Sequence, residues 1–147
     1  MTEESVLEMG PIDYVVLEWP GRQPHGDVVP LLIDLVDRGI IRLLDFAVMV
    51  KGDDGSVAAL DLGELEAFEP FAGAASGLLD QQDLEEAAAA LDPGTSAAVL
   101  VWENRWAAPV AVAVRESGGQ LVASGRLEIQ AILAALELAE ARAAATT

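Results

Sequence analysis

The chain has 147 residues, 52% of them hydrophobic, no cysteine, and a formal net charge of −17 from 8 basic and 25 acidic side chains. That length fits one domain burying about two thirds of its unfolded surface, and so apolar a composition excludes intrinsic disorder. The missing thiols exclude disulfides, cysteine nucleophiles and cysteine-bound zinc or iron–sulfur centres, and the acidity argues against nucleic acid and anionic membranes as partners.

Met1 to Gly10 carries Glu3, Glu4 and Glu8 without a basic stretch. Residues 1–10 therefore read as a flexible acidic tail rather than a secretory signal, and 11–147 as one domain. No uncharged apolar run reaches the roughly 18 residues of a membrane span, so the expected location is the cytoplasm. Asp13 to Trp19 alternates as a strand, with Val15, Leu17 and Trp19 on one face and Tyr14, Val16 and Glu18 on the other. Asp27 to Arg38 reads as a helix that Asp27 can cap, with Pro30 in its first turn and Gly39 as its stop.

Arg42 to Lys51 and Val57 to Leu62 read as strands joined by the turn Gly52-Asp53-Asp54-Gly55. Leu44, Phe46, Val48 and Val50 are expected on one face of the longer strand, Ala47 and Met49 on the other. Gly63 to Leu79 is ambiguous. It holds one helical turn before Pro70 and a small-residue pair, Gly73 and Gly77, suited to close backbone contact in a packed loop. Gln81 to Leu91 is a helix with a capping box from Asp80 and Asp83 and a staple from Leu79 and Leu84.

Ser96 to Glu103 is a strand, and Asn104 can cap a third helix, Arg105 to Ser117, that is apolar nearly all round. Gln120 to Ser124 reads as a short strand, and Glu128 to about Ala143 as a last helix.

This order predicts an α+β fold: a ferredoxin-like sandwich of two βαβ-type units with an edge hairpin strand and a C-terminal helix. One assignment pairs the echoed units Asp13–Val50 and Ser96–Ser124. The other takes Asp13–Glu103 as a complete βαββαβ unit with the remaining elements appended. In either, the helices should cover one sheet face. The opposite face is apolar too, so the last helix or a second subunit should cover it; a symmetric dimer is the simplest oligomer.

The run GLLDQQDLEEAAAALDPGTSAAVLVWENRWAAPVAVAVRESGGQLVASGRL from Gly77 to Leu127 resembles a family of small actinobacterial proteins catalogued as domain of unknown function 6325. So do the opening GPIDYVVLEWPG and the closing IQAILAALE. VLVWENRWAAP is the most specific part. A more distant likeness is to a bacterial group with a glycine-zipper hairpin, of which only the surroundings of Gly73 and Gly77 match. The resemblance supports the fold and implies no activity, cofactor or site residue.

Chemistry-bearing residues are sparse. His25, in a Pro-His-Gly turn, is the sole histidine, and no G-x-S-x-G elbow or phosphate loop occurs. Asp53-Asp54 and Glu85-Glu86 lack the spacing of metal ligands, and no metal or cofactor is expected. Glu18 and Glu103 end the two echoed strands. If those strands are parallel neighbours, Glu18, Trp19, Trp102, Glu103, Asn104 and Arg105 converge, and Arg105 can pair with either glutamate. That cluster, with His25 nearby, is the candidate pocket for a small molecule. Its structural alternative is an ion pair with aromatic packing that fixes the strand ends. The leading expectation is a non-catalytic, self-associating domain, with ligand binding second and enzyme activity third.

Overall fold

The computed structural model describes residues 8–146, which divide into two units between Ser117 and Gly118. In the first, β1 (Ile12–Pro20) leads through α1 (Val28–Asp37) to β2 (Ile41–Lys51), and the Asp-Gly turn reverses the chain into β3 (Val57–Leu60). Two 3-10 segments, Leu62–Glu64 and Glu66–Ala74, precede α2 (Gln81–Ala88), which returns the chain to β4 (Thr95–Asn104). A 3-10 turn, Arg105–Ala107, then opens α3 (Ala108–Glu116).

Strand direction sorts the sheet. β1 and β2 run the same way because a helix joins them, whereas β3 and β4 run the other way. Alternating the two directions gives the order β1-β4-β2-β3 with every neighbouring pair antiparallel. The element order from β1 to β4 is the βαββαβ order of the second assignment, and the fold it forms is a mixed α+β one with a four-stranded antiparallel sheet. The alternative, with the strands at 13–19 and 96–103 as parallel neighbours, is overturned: β1 and β4 are adjacent but antiparallel, and β1 is an edge.

The layers also differ from the one-faced ferredoxin-like sandwich expected. On one face Phe46, Val48, Ala98 and Leu100 pack with Val29 of α1 and with Phe68 and Phe71 of the second 3-10 segment. On the other, Met49, Ala97 and Val99 pack with Leu84 and Ala88 of α2 and with Leu91. The second face is thus covered in part by a helix of the same unit. The two apolar faces read from the strands are real, and each has its own helix because a sheet apolar on both sides must be covered on both.

Alternation along β2 holds except at Leu44. The register with β4 slips between Leu43 and Asp45, so a bulge takes up Leu44, and Leu43 rather than Leu44 packs against the Phe46 side. α1 ends at Gly39, whose φ of +70° suits glycine, but Asp27 makes no side-chain cap bond. The capping box at α2 forms as expected: Asp83 N donates to Asp80 Oδ1 (2.9 Å) and Asp80 N to Asp83 Oδ2 (3.0 Å). The far end of α2 is tied to β2, because Lys51 Nζ donates to the Ala88 and Leu91 carbonyls, each at 2.9 Å. A cation is favourable there, where the helix's carbonyls are otherwise unpaired.

Four other expectations change. Met9 and Gly10 are buried, so the tail expected over 1–10 does not include them; residues 1–7 lie outside the described residues. Nothing packs within 4 Å of where a side chain on Gly73 or Gly77 would stand, so the small pair makes no close approach. α3 has no buried residue; its Val110 stands 64% exposed and Trp106 of the preceding turn 66%, and over the helix expected at 105–117 only Ala107 is buried, so the all-round apolarity does not reflect burial. In the second unit, residues 119–128 form no regular structure, so the strand expected at Gln120–Ser124 is not seen. α4 (Ile129–Ala145) follows, with none of its residues buried.

The β2–β3 turn supplies the clearest titration. Asp54 Oδ1 accepts from the Ser56 hydroxyl (2.6 Å) and the Ser56 amide (3.0 Å). These bonds, the hydroxyl first, hold the Asp54 carboxyl below its ordinary range. A lowered folded-state pKa adds stability above the unfolded value that is lost as pH falls through the folded one. Ser56→Ala is expected to move the Asp54 midpoint up toward an ordinary carboxylate, followed by NMR of the carboxyl carbon against pH. An unmoved midpoint would leave the amide bond as the cause.

Candidate functional site

The seven candidate residues do not form one site. Antiparallel pairing sets Glu18 opposite Ala97 and Trp19 opposite Ser96, while Glu103 lies opposite Ile12. Glu18 and Glu103 are therefore separated by six residues of β4, about 20 Å at the rise of a strand. The expected convergence is overturned, and with it the paired-carboxylate arrangement.

At one end, Glu18 Oε2 accepts from the Asp92 amide (2.8 Å) and the Thr95 hydroxyl (3.2 Å), fixing the turn that enters β4. Trp19 packs against the Phe46 core and stacks on His25, with ring centroids 6.4 Å apart and planes 8° from parallel. The histidine is an exposed partner of an aromatic ring rather than part of an acid–base pair.

At the other end, Asn104 is the hub. Its Oδ1 accepts from the indoles of Trp102 (3.0 Å) and Trp106 (3.3 Å), and its Nδ2 donates to the Pro11 carbonyl (3.1 Å) and Asp13 Oδ2 (2.7 Å). Both amide hydrogens and both oxygen lone pairs are used. The side chain clamps two tryptophans to the start of β1 instead of capping the following helix. Glu103 is buried and accepts from the Gly10 amide at 2.8 Å. Its ionic partner is Arg42, with Nε 2.9 Å from Oε1 at an angle too poor for a hydrogen bond. Arg105, the expected partner, is exposed and pairs with neither glutamate. Gly10 fits here because any side chain on it would strike the Asn104 carbonyl. The structural alternative, an ion pair and aromatic packing that fix a strand end, describes this cluster.

Two open volumes lie elsewhere, along β1. Between α1 and the sheet is a cavity of about 330 Å³ walled by Val15, Leu17, Leu31, Leu35, Leu100 and Trp102. Of the seven candidates, Trp102 alone borders it. On the opposite face, beside α2, a groove of about 650 Å³ is lined by Ile12, Tyr14, Val16, Leu78 and Val101 and by three carboxylates, Asp13, Asp83 and Glu86. Sequence reasoning placed Tyr14 and Val16 on this face but did not single out Ile12, Tyr14 or Leu78. The usable signal was a strand apolar on both sides at a sheet edge, and the edge itself is not visible in the sequence. Among the described residues no cluster of three or more histidines or carboxylates is placed to hold a metal ion. No described helix is long and apolar enough to cross a membrane.

Residues 8–143 match a family described as "Family of unknown function (DUF6325)". Neither a curated protein nor a solved structure matches the chain.

Proposed function

The chain belongs to this family of unknown function, and we propose that it is a non-catalytic, cytoplasmic domain that self-associates and acts through protein contacts. The observation that carries this reading is the groove beside α2. Three large apolar side chains around it stand in water: Ile12 at 51%, Tyr14 at 73% and Leu78 at 61% exposed. Apolar surface gathered into one groove is what a contact site presents, whereas scattered single residues need no explanation. Covering side chains of this size is worth about 1.5–3 kcal/mol each when burial is complete.

Charge opposes the association, since each copy carries −17. Screening the repulsion should therefore help. The Debye length falls from about 30 Å at 0.01 M salt to about 8 Å at 0.15 M. Light scattering behind a sizing column is expected to show a dimer at high micromolar concentration, with a larger dimer fraction at the higher salt. A monomer under both conditions would overturn the reading.

The cavity under α1 favours a second reading, a small-ligand-binding regulatory domain. Its wall contains no ionisable side chain, so the ligand would be neutral and apolar. At about 330 Å³ it is roughly twice the ~150 Å³ cavity that accepts benzene. Naphthalene as probe should raise the melting temperature, since ligand at one hundred times its dissociation constant adds about 2.7 kcal/mol. Leu35→Trp, which fills the cavity, should abolish the shift. No shift in the parent protein would discard this reading.

A further inference from the structure

We infer that β1 is the joining strand: two copies meet edge to edge, antiparallel, about a two-fold axis at Val16, so that their sheets become one. This rests on the self-association reading and gives it a geometry.

The sheet has two edges of unequal character. β3 is four residues long, whereas β1 runs nine and keeps its register with β4 through all nine pairs without a bulge. Among the described residues no strand pairs with the outer side of β1, so its outward backbone N–H and C=O groups form a template for another strand. Proteins usually guard such an edge with a lysine, a bulge, a central proline or a covering loop. β1 contains no basic residue, and its proline, Pro20, is the last position.

Two charges remain on the strand, and both are turned back into its own sheet. Asp13 is held by Asn104 Nδ2 at 2.7 Å, and Glu18 by the Asp92 amide at 2.8 Å. Neither carboxylate stands over the open edge as a guard. Apolar side chains flank that edge on both faces, Val15 and Leu17 in the wall of one depression and Ile12, Tyr14 and Val16 in the other, which Asp13, Asp83 and Glu86 also line. An incoming strand sends alternate side chains to opposite faces, so a copy of β1 would extend both apolar surfaces at once.

Symmetry narrows the register. A two-fold perpendicular to the sheet keeps each side chain on its own face, so directly opposed residues must have an even sum and the axis must pass through a residue. Val16 is the central residue of β1, and an axis there gives the longest overlap, Ile12 opposite Pro20 and Val15 opposite Leu17. In this register Asp13 faces Trp19 and Glu18 faces Tyr14, so neither carboxylate meets its own copy and the like-charge opposition that destabilises a pair of strands is avoided. Pro20, which cannot donate, falls at the fringe of the ladder, where its missing bond costs least.

The chain has no cysteine, so Val16→Cys introduces a single thiol. Opposed residues have Cα atoms about 4.5–5.5 Å apart, within the 4.4–6.8 Å span of a disulfide. In a glutathione buffer poised oxidising, V16C should become mostly covalent dimer on a non-reducing gel. Ala58→Cys, on the opposite edge strand, should form no covalent dimer and run as a single chain on the same gel. Tyr14→Lys guards the edge without touching the core. It should keep the parent's circular dichroism and weaken the dimer at least tenfold in light scattering. If V16C cross-links no more than A58C and Tyr14→Lys leaves a parent dimer intact, the β1 geometry is overturned while self-association stands. A parent that is monomeric at high micromolar concentration overturns both.

Discussion

Phe46→Ala is expected to destabilise the first unit by about 3–5 kcal/mol, the range for truncating a fully buried aromatic side chain. Phe46 is 1% exposed and lies between the two rings that anchor the second 3-10 segment, Phe71 at 4.9 Å and Phe68 at 5.8 Å between centroids. Alanine would remove apolar area and also leave a void whose lining loses its contacts. The void cannot close easily, because Val48, Ala98 and Leu100 are held by the sheet ladder on one side and by α1 and the 3-10 segment on the other. A domain of ordinary stability has only about 5–15 kcal/mol to lose, so the urea midpoint should drop by a large fraction with the slope unchanged. Leu31→Ala is the control: Leu31 is 69% exposed, and its loss should cost no more than about 0.5 kcal/mol. Equal effects from the two substitutions would show that Phe46 is not at the centre of the core.

The sequence reveals most where structure is local. The capping box depends on Asp80 and Asp83, three residues apart, and forms as read. The hairpin turn depends on Gly52 to Gly55 and does the same, with the Gly55 amide on the Gly52 carbonyl at 3.0 Å. Period-2 alternation assigns Phe46 and Val48 to one face and Met49 to the other correctly, then fails at Leu44. A bulge needs only one extra residue and leaves no compositional mark.

What fails is non-local. Nothing in β1 or β4 says that they run antiparallel; that follows from α2 returning the chain in the direction of β3. Glu18 and Glu103 were brought together by assuming the opposite direction, and reversing one strand sends them to opposite ends. The Glu103 site is legible as a strand-end charge with an ionic partner. Its actual partners are not: the Gly10 amide lies 93 positions away in the chain, and Arg42 projects from another strand. The strand expected at Gln120–Ser124 is a run of five residues without a known neighbour, and a strand is stable only with something to pair with.

Asp45→Ala is expected to cost about 4 kcal/mol, and it tests a residue whose signal was present in the sequence but unused. In Leu43-Leu44-Asp45-Phe46-Ala47-Val48, one carboxylate interrupts a buried strand, and Asp45 is 2% exposed. A charge is tolerated in such a place only when its oxygens are satisfied. Asp45 Oδ1 accepts from the Phe46 amide (2.8 Å) and the Ser76 amide (3.0 Å), and Oδ2 from the Leu79 amide (2.7 Å). The bulge at Leu44 is part of the same device, since the Ser76 hydroxyl donates to the Leu44 carbonyl at 2.7 Å. Together they tie residues 76–79 to the sheet and place Leu79 beside Leu84 on the α2 side of the core. Alanine removes the acceptor from three amides, each worth about 1–3 kcal/mol when left unpaired. Asp45→Asn separates chemistry from volume. Its amide oxygen can keep the Phe46 and Ser76 bonds, but its NH₂ meets the Leu79 N–H donor to donor, so the cost should fall to roughly half that of alanine. Urea midpoints give the ranking, and amide exchange gives the location. In Asp45→Asn the Leu79 amide should lose protection while Ser76 keeps it; in Asp45→Ala both should lose it. Equal losses of stability in the two variants, with Leu79 still protected in Asp45→Asn, would mean that the carboxylate fills space there and does not hold the loop.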